Sequence, residues 1–203
     1  MIIKTKYKLC RRLGVGIFEK CQTQKFTLSE AKKSGNKRLK RKKMPSEYGL
    51  QLLEKQKLRF AYGIREKQLS RYVKESFAKK ESNIAESLYI RLETRLDNVV
   101  YRLGLASTRA MARQMVSHGH ILLNGKKLTV PSCHVKMGDK LTIRKGSEGK
   151  AIFSELKEGA KMAVSVDWLT FNPTKKEGSM TGSPKLKSQG VFDFKSILEF
   201  YGR

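Results

Sequence analysis

The chain has 203 residues, with 44 Lys and Arg against 18 Asp and Glu, which gives a formal net charge of +26. A chain with so much like charge repels itself, so we expect it to work beside a polyanion such as RNA, DNA or an anionic membrane. A membrane partner is disfavoured because apolar runs such as Ile121 to Leu123 are far shorter than the roughly 18 residues of a spanning helix. Cys10, Cys21 and Cys133 are scattered and odd in number, which indicates a reducing compartment rather than a disulfide framework.

The first quarter of the chain is the most basic. Residues 1–47 hold 15 Lys and Arg against 3 acids, and the run 37–43 is too charged to pack on anything but an anion. With so little apolar content to offset chain entropy, residues 1–46 are expected to form a basic N-terminal arm that orders on RNA. A disordered solubilising tail is the alternative for this segment.

Residues 47–90 are expected to form a helical domain. Ser46 can cap a first helix through its side-chain oxygen, and Gly63 is expected to end that helix. A second helix is predicted to carry the apolar residues of segment 69–77. The short apolar segment 191–203 is expected to return to this domain as a strand or a helix.

The next helical pattern runs through residues 86–104. Five apolar residues recur there at spacings of three or four, namely Leu88, Leu92, Leu96, Val100 and Leu103. This period predicts one helix with a buried stripe, which Gly104 ends. Ser107 or Thr108 is expected to cap a further helix that ends at Gly119.

A change to a strand pattern follows these helices. Asn124-Gly125 is the strongest short hairpin signal, and a turn is predicted at Met137 to Asp139 before a strand over residues 140–144. Residues 91–145 are therefore expected to form a small domain of two helices packed on a short antiparallel sheet. With the helical domain and the basic extension, this predicts an α+β fold.

The polar faces of these two helices carry the functional signal. The polar rows are Arg91, Arg95, Asn98 and Arg102 on the first helix, and Arg109, Arg113 and Ser117 on the second. Their spacings place each row on one helix face, offset from the apolar stripe. The segment holds few acids, only Glu93, Asp97 and Asp139, whereas an ordinary solvated helix pair carries both signs.

Rows of arginine predict phosphate binding because the planar guanidinium makes bidentate contacts with phosphate oxygens. The hairpin beside them adds Lys126 and Lys127, with His118 and His120 at the junction. RNA is favoured over DNA because no helix-turn-helix, zinc-finger or basic-zipper pattern is evident, and a compact surface suits structured RNA.

Residues 146–190 are expected to be a variable extension and loop. Segment 147–162 weakly favours a helix, Trp168 to Phe171 favours a strand, and segment 172–190 reads as loop because it is rich in Gly, Ser, Thr, Pro and Lys. The run Gly146 to Lys150 is too short for the spacing of a phosphate-binding P-loop.

Two blocks and the C-terminal end of the chain resemble one protein family. The first block comprises residues 95–104 (RLDNVVYRLG), Thr108-Arg109, Ala112 to Gln114, Val116 to His120, Asn124-Gly125 and Gly138-Asp139. It resembles the RNA-binding domain named after ribosomal protein S4, which also occurs in pseudouridine synthases, tyrosyl-tRNA synthetases and a heat-shock RNA-binding protein. The second block, Tyr48 to Arg59 with Tyr62 to Ile64, resembles the helical domain of the ribosomal protein itself, and Leu198 to Tyr201 resembles its C-terminus.

The resemblance to the bacterial-type ribosomal protein S4 family implies a structural component of the small ribosomal subunit and not an enzyme. It implies a primary binder of small-subunit rRNA in the 5′ domain that acts early in assembly. It also implies a place near the mRNA entry channel, beside the small-subunit protein S5, with influence on translational accuracy. The implied location is the ribosome of the bacterial cytoplasm, and an organellar ribosome is the alternative.

The candidate RNA-binding residues come from the basic arm, the helical block and the two-helix domain. They are Arg38, Arg41, Lys42, Lys43, Lys55, Lys57, Arg59, Arg91, Arg95, Asn98, Arg102, Thr108, Arg109, Arg113, Gln114, Ser117, His118, His120, Asn124 and Lys126. No catalytic residues are expected, because no Ser/His/Asp or Cys/His motif is evident.

Two other functions stay open at this point. An RNA-modifying enzyme could carry the same RNA-binding domain, but it needs a catalytic domain of about a hundred residues or more, which segment 147–203 cannot supply. The second alternative is a stand-alone RNA chaperone of stalled ribosomes. The block Tyr48 to Arg59 argues against it, because that block resembles the helical domain of the ribosomal protein.

A zinc site and other cofactors are not expected. Some bacterial members of the family carry four N-terminal cysteines that hold zinc, whereas this chain has only Cys10 and Cys21 there. A structural zinc site needs four thiolate or imidazole ligands, so we expect the site to be lost.

Overall fold

The structure is a computed structural model that describes residues 5–35, 45–78, 83–147, 149–150, 152–153, 166–172, 175–186 and 191–202. The chain divides into two compact units. The first unit combines residues 1–80 with 189–203, and the second unit holds residues 81–188. The predicted α+β class is confirmed, since helices and an antiparallel sheet both occur.

The helices, in chain order, are α1 Lys6–Leu13, α2 Gln24–Gly35, α3 Glu47–Tyr62, α4 Glu66–Ala78, α5 Ile84–Glu93, α6 Leu96–Arg102, α7 Arg109–Ser117 and α8 Phe194–Gly202. The strands are β1 Ile121–Leu123, β2 Lys126–Lys127, β3 Lys140–Ile143, β4 Leu169–Asn172 and β5 Glu177–Met180. They form one antiparallel sheet in the order β2-β1-β3-β5-β4.

In the first unit, the ends of α3 follow the sequence signals. The Ser46 hydroxyl accepts a hydrogen bond from the Gly49 N–H (3.3 Å), and Gly63 takes a left-handed φ of +62° that ends the helix. Helix α8 packs against α3, where the Gln51 amide donates to Glu199 (3.2 Å). The buried apolar residues of α3, α4 and α8 are Leu58, Tyr62, Leu69, Tyr72, Val73, Phe194 and Ile197.

The N-terminal segment has more structure than its charge predicts. We expected residues 1–46 to hold too little apolar content to pack, and this is wrong for residues 5–35. There α1 and α2 enclose a small buried cluster of Cys10, Phe18 and Cys21. The high charge of the segment predicts an unpacked arm and does not reveal that these three side chains pack together.

The predicted single helix over residues 86–104 is wrong, because it is interrupted between α5 and α6. Arg95 takes an extended conformation and forms an isolated bridge with His134. The Leu96 N–H then donates to the Cys133 carbonyl (2.8 Å). A segment more than thirty residues further along the chain therefore supplies the backbone partners that break the helix, which the apolar period alone does not reveal.

In the second unit, the hairpin between β1 and β2 is confirmed. Asn124 and Gly125 both have positive φ, +50° and +76°, as a tight hairpin turn of two residues requires. The buried core packs α6 and α7 on this sheet, and its members include Leu96, Leu105, Met115, Ile121, Leu141, Phe153 and Trp168.

The extension contains two strands. Strand β4 confirms the prediction at Trp168 to Phe171, but β5 lies inside segment 172–190, which we expected to be loop. β5 has the sequence Glu-Gly-Ser-Met, which has low strand propensity, and pairing with β3 and β4 on both sides overrides that propensity. Most of the helix expected over 147–162 lies outside the described residues.

Candidate nucleic-acid interface

Two buried carboxylates lie at the junction between α5 and α6. Glu93 is the last residue of α5 and Asp97 is in the first turn of α6, and their side chains are only 1% and 3% exposed. A buried carboxylate is costly unless a cation and hydrogen bonds compensate it. These two acids therefore determine where the neighbouring arginines lie.

Asp97 binds two arginines. Arg95 donates from Nε to Oδ1 (3.0 Å) and from Nη2 to Oδ2 (2.7 Å), and Arg113 donates from Nε (2.9 Å) and Nη2 (2.7 Å) to Oδ2. The Arg95 side chain is only 2% exposed. The prediction that Arg95 lies on an exposed polar row is wrong, because the helix break turns it inward.

Glu93 organises the other half of the site. Arg102 makes a bidentate pair with it, from Nε to Oε2 (2.9 Å) and from Nη2 to Oε1 (2.7 Å). Asn98 donates to the same carboxylate (2.9 Å), and its own carbonyl accepts from Arg109 Nε (2.8 Å). Asn98 is buried, so its predicted place on an exposed row is also wrong.

Three arginines remain partly exposed in this arrangement, and we call Arg102, Arg109 and Arg113 the arginine cluster. The side chains of Arg102 and Arg113 are 21% and 26% exposed, and Arg109 is half-buried with its guanidinium 4.4 Å from the centre of the Tyr101 ring. Each guanidinium is held by a hydrogen bond or a stacked ring, so little side-chain entropy is left to lose when an anion binds.

The two histidines differ. His118 is exposed, whereas His120 is buried, with Nδ1 2.9 Å from the Ser147 hydroxyl. Burial, followed by the charges of Lys150, His118 and Arg144, lowers the pKa of His120 below its ordinary value. The expectation that His120 is exposed or faces RNA is therefore wrong, since it is part of the interior.

Several other candidates have local structural contacts. The Thr108 hydroxyl caps α7 by accepting from the Met111 N–H (3.1 Å), and the Ser117 hydroxyl donates to the Arg113 carbonyl (2.8 Å). Asn124 donates to Asp139 (2.8 Å) and accepts from the Lys140 N–H (2.9 Å), which joins the two turns. Gln114 and Lys126 are exposed, and Arg91 is half-buried on α5.

Most of the candidate RNA-binding residues described in the first unit form ion pairs with acids of the same unit. Lys55 is buried, pairs with Glu66 (2.9 Å) and lies 4.2 Å from the centre of the Phe200 ring. Lys57 pairs with Glu54, and Arg59 lies 3.5 Å from Glu66. Arg38, Arg41, Lys42 and Lys43 fall outside the described residues.

One basic surface, on α4, is not among the candidates named from the sequence, and we call Arg65, Lys67, Arg71 and Lys74 the α4 basic face. On α4 the exposed side chains include Arg65 just before the helix, then Lys67, Arg71 and Lys74. The buried residues of the same helix are Leu69, Tyr72, Val73 and Ser76. That burial pattern was available from the apolar period, and it places the three basic residues of the helix on the opposite face.

The cysteines of the first unit lie together. Cys10 and Cys21 are both buried free thiols in one cluster, and burial, then contact with Cys10, raises the pKa of Cys21 to about 12. Over the described ranges, no group of three or more His, Cys, Asp or Glu side chains is placed to hold a metal ion. In the same part of the chain, no helix has the length and apolar character to cross a membrane.

The fold and this surface define the class of protein, in which an S4 RNA-binding domain follows a helical domain along the chain. Residues 94–141 match the family model described as the S4 domain, and residues 2–93 match that of the ribosomal protein S4/S9 N-terminal domain. The chain is 40% identical to small ribosomal subunit protein uS4 of Roseiflexus sp. (strain RS-1), over 97% of this chain and 96% of the relative. It is 42% identical to the protein of that name from Lysinibacillus sphaericus (strain C3-41), again over 97% and 96%.

The uS4 protein of Geobacillus kaustophilus (strain HTA426) is 40% identical over the same shares of both chains. These matches extend along nearly the whole sequence and include both units. The chain therefore belongs to the ribosomal protein S4 family, whose members are named small ribosomal subunit protein uS4.

Proposed function

We propose that this chain is a structural component of the small ribosomal subunit and that it binds small-subunit rRNA through the arginine cluster. The family membership supports the ribosomal role, and the oriented guanidiniums of Arg102, Arg109 and Arg113 carry the proposal of RNA binding. A guanidinium fork fixed by a buried acid is well suited to phosphate oxygens, whose geometry it matches.

The finer role follows the family. We propose binding in the 5′ domain of the rRNA early in assembly, at a place near the mRNA entry channel beside protein S5, where the chain influences translational accuracy. The surplus of Lys and Arg supports a place among rRNA helices, because so much like charge requires a polyanion nearby. The bacterial relatives support a bacterial-type ribosome in the cytoplasm.

The test measures binding of the full chain to in vitro transcribed small-subunit rRNA and to a length-matched fragment of large-subunit rRNA. We expect tighter binding to the small-subunit rRNA, with a log–log salt slope of about −6 or steeper, because each neutralised phosphate releases counterions. Arg109→Ala should weaken binding by about tenfold or more, since it removes a charge-assisted contact. Equal affinity for both RNAs, or a slope near −1, would contradict the proposal.

A further inference from the structure

Cys10 and Cys21 form a pair of thiols for which the proposed rRNA binding has no use. Both are free cysteines, only 3% and 2% exposed, and they belong to the same small cluster of the first unit. A hydrogen bond joins the two thiols. A single buried cysteine is ordinarily an inert apolar side chain, whereas two thiols in contact can be oxidised to one disulfide bond.

The chain turns back after α1, which brings the second cysteine to the first. Gly14 ends α1 with a left-handed φ of +70° and donates its N–H to the Cys10 carbonyl (2.9 Å). A Cβ on Gly16 would lie 3.2 Å from the Cys21 carbonyl oxygen, so two strands of the loop pass closely there. The short helical turn Glu19–Cys21 then packs on α1. A disulfide would therefore close a loop that the fold has already formed.

The electrostatics of the pair distinguish the two sulfurs. Burial, then contact with Cys10, raises the pKa of Cys21 to about 12. The positive charges of Lys6 and Arg11 lower the pKa of Cys21 and offset only part of this rise. Cys21 therefore keeps its proton at neutral pH, and ionisation of the pair places the thiolate on Cys10. Because the thiolate is the nucleophilic form of cysteine, Cys10 is the sulfur that reacts first.

A pocket beside α1 gives a small oxidant a route to the pair. Its volume is about 520 Å³, and both cysteines line it together with Arg11, Gly14 and Phe26. A water molecule occupies roughly 30 Å³ in the liquid, and hydrogen peroxide has only one oxygen atom more. The pocket therefore admits hydrogen peroxide.

We propose that Cys10 and Cys21 are a peroxide-reactive dithiol that closes into a reversible intrachain disulfide. The Cys10 thiolate attacks hydrogen peroxide: an S–O bond forms, the O–O bond breaks, and the departing hydroxide takes up a proton to become water. The Cys21 sulfur then attacks the sulfenic acid on Cys10. The S–S bond forms, the S–O bond breaks, and the thiol proton leaves with the hydroxyl group as a second water. Two thiols and one peroxide thus give one disulfide and two waters.

The disulfide would be a covalent link in a region with a very small core. The buried members of the cluster, among the residues that the structure describes, are Cys10, Phe18 and Cys21. Small cores gain most from such a link. In a reducing compartment the bond is transient, since glutathione or thioredoxin reopens it by thiol–disulfide exchange. The proposal does not depend on an rRNA partner.

The experiment treats the full reduced chain with hydrogen peroxide and then unfolds it in urea with iodoacetamide, which alkylates the remaining thiols. Trypsin cuts after Arg11 and Lys20, so the two cysteines lie in separate peptides unless a disulfide joins them. We expect the joined pair of peptides, with a mass about 2 Da below the sum of the free peptides. Dithiothreitol should separate them again. Cys133, a free cysteine of the second unit, should form no disulfide.

Three serine variants assign the roles of the sulfurs. Cys21→Ser removes the second thiol only, so Cys10 should stop at the sulfenic acid, which dimedone traps. Cys10→Ser should slow the oxidation of Cys21 by about tenfold or more, because the protonated thiol is a poor nucleophile. Cys133→Ser is the matched control, which removes the third cysteine and should form the disulfide to the same extent as the unmodified chain.

Alkylation of both Cys10 and Cys21 after peroxide treatment of the unmodified chain would overturn the proposal, because the two thiols would then be inert packing. A bond from either of them to Cys133, or a sulfinic acid on Cys10 without a disulfide, would overturn it too. Loss of the disulfide in Cys133→Ser would have the same consequence. The peptide map of the unmodified chain decides the matter even if a serine variant fails to fold.

Discussion

In the arginine cluster each guanidinium is held by a buried carboxylate, a buried amide or an aromatic ring, whereas the lysines of the α4 basic face extend into solvent without a side-chain partner in the described part of the chain. The two surfaces therefore offer positive charge in different ways. A held guanidinium binds in one geometry and depends on the acids beneath it. A free lysine adapts to its partner, and only its charge matters.

The largest expected effect comes from removing one buried acid of the cluster. Asp97→Ala removes the buried carboxylate that pairs with both Arg95 and Arg113, so we expect destabilisation by about 3–5 kcal/mol in urea unfolding. Glu75→Ala is the control on α4, because its ion pair with Arg71 is exposed and should contribute less than about 1 kcal/mol. Similar urea midpoints for Asp97→Ala and Glu75→Ala would contradict the claim that buried acids hold the arginine cluster more strongly than an exposed ion pair holds Arg71.

The second prediction compares charge with geometry. Arg109→Ala should lose about 1.5–3 kcal/mol of rRNA binding, and Arg109→Lys should recover only part of it, since lysine cannot both bond Asn98 and stack on Tyr101. On the α4 basic face the reverse exchange, Lys67→Arg, should leave affinity nearly unchanged. Full recovery by Arg109→Lys would show that the cluster also works through charge alone.

The third prediction concerns pH. The folded pKa of His120 lies below its unfolded value, because burial and neighbouring charges disfavour the imidazolium. The unfolded chain therefore takes up a proton first as pH falls below about 6.5, and stability should decline until the folded pKa is passed. His120→Gln should remove this part of the pH dependence in unfolding measurements between pH 7.5 and 5. If the pH dependence of stability is the same in His120→Gln, titratable groups other than His120 cause it.

The smallest effect is expected at Glu66. Burial would raise its pKa, but hydrogen bonds from Tyr201 and Lys55 outweigh burial and lower it. Its stabilising contribution is thus present above the unfolded pKa, near 4.5, and is lost as pH falls through the folded value. Tyr201→Phe should shrink this loss slightly in acid titrations. A larger loss in the variant would reverse the assigned role of the Tyr201 hydroxyl.

Local signals in the sequence predicted the local structure well. The cap at Ser46, the stop at Gly63 and the hairpin at Asn124-Gly125 each depend on a few neighbouring residues, and each is confirmed. The break between α5 and α6 was missed because its backbone partner, the Cys133 carbonyl, comes from a distant segment.

The exposure of individual basic residues could not be predicted either, because it depends on partners that are distant in the sequence. The spacing of arginines indicates a helix face, but ion pairs decide which side chains remain available. Asp97 reaches Arg113 across 16 positions, and Glu66 reaches Lys55 across 11. The acids of segment 91–145 are too few to balance its basic residues, which predicted an exposed positive face, whereas in the structure Glu93 and Asp97 organise the site.

The central claim is that the arginine cluster faces rRNA, and covalent modification of arginine tests it most directly. The free chain and the chain in assembled small subunits are treated with phenylglyoxal, and each arginine is quantified by mass spectrometry. We predict that Arg109 and Arg113 react in the free chain and are protected in the subunit, while the buried Arg95 stays unreactive in both. Equal reactivity of Arg109 and Arg113 in both samples would contradict the claim.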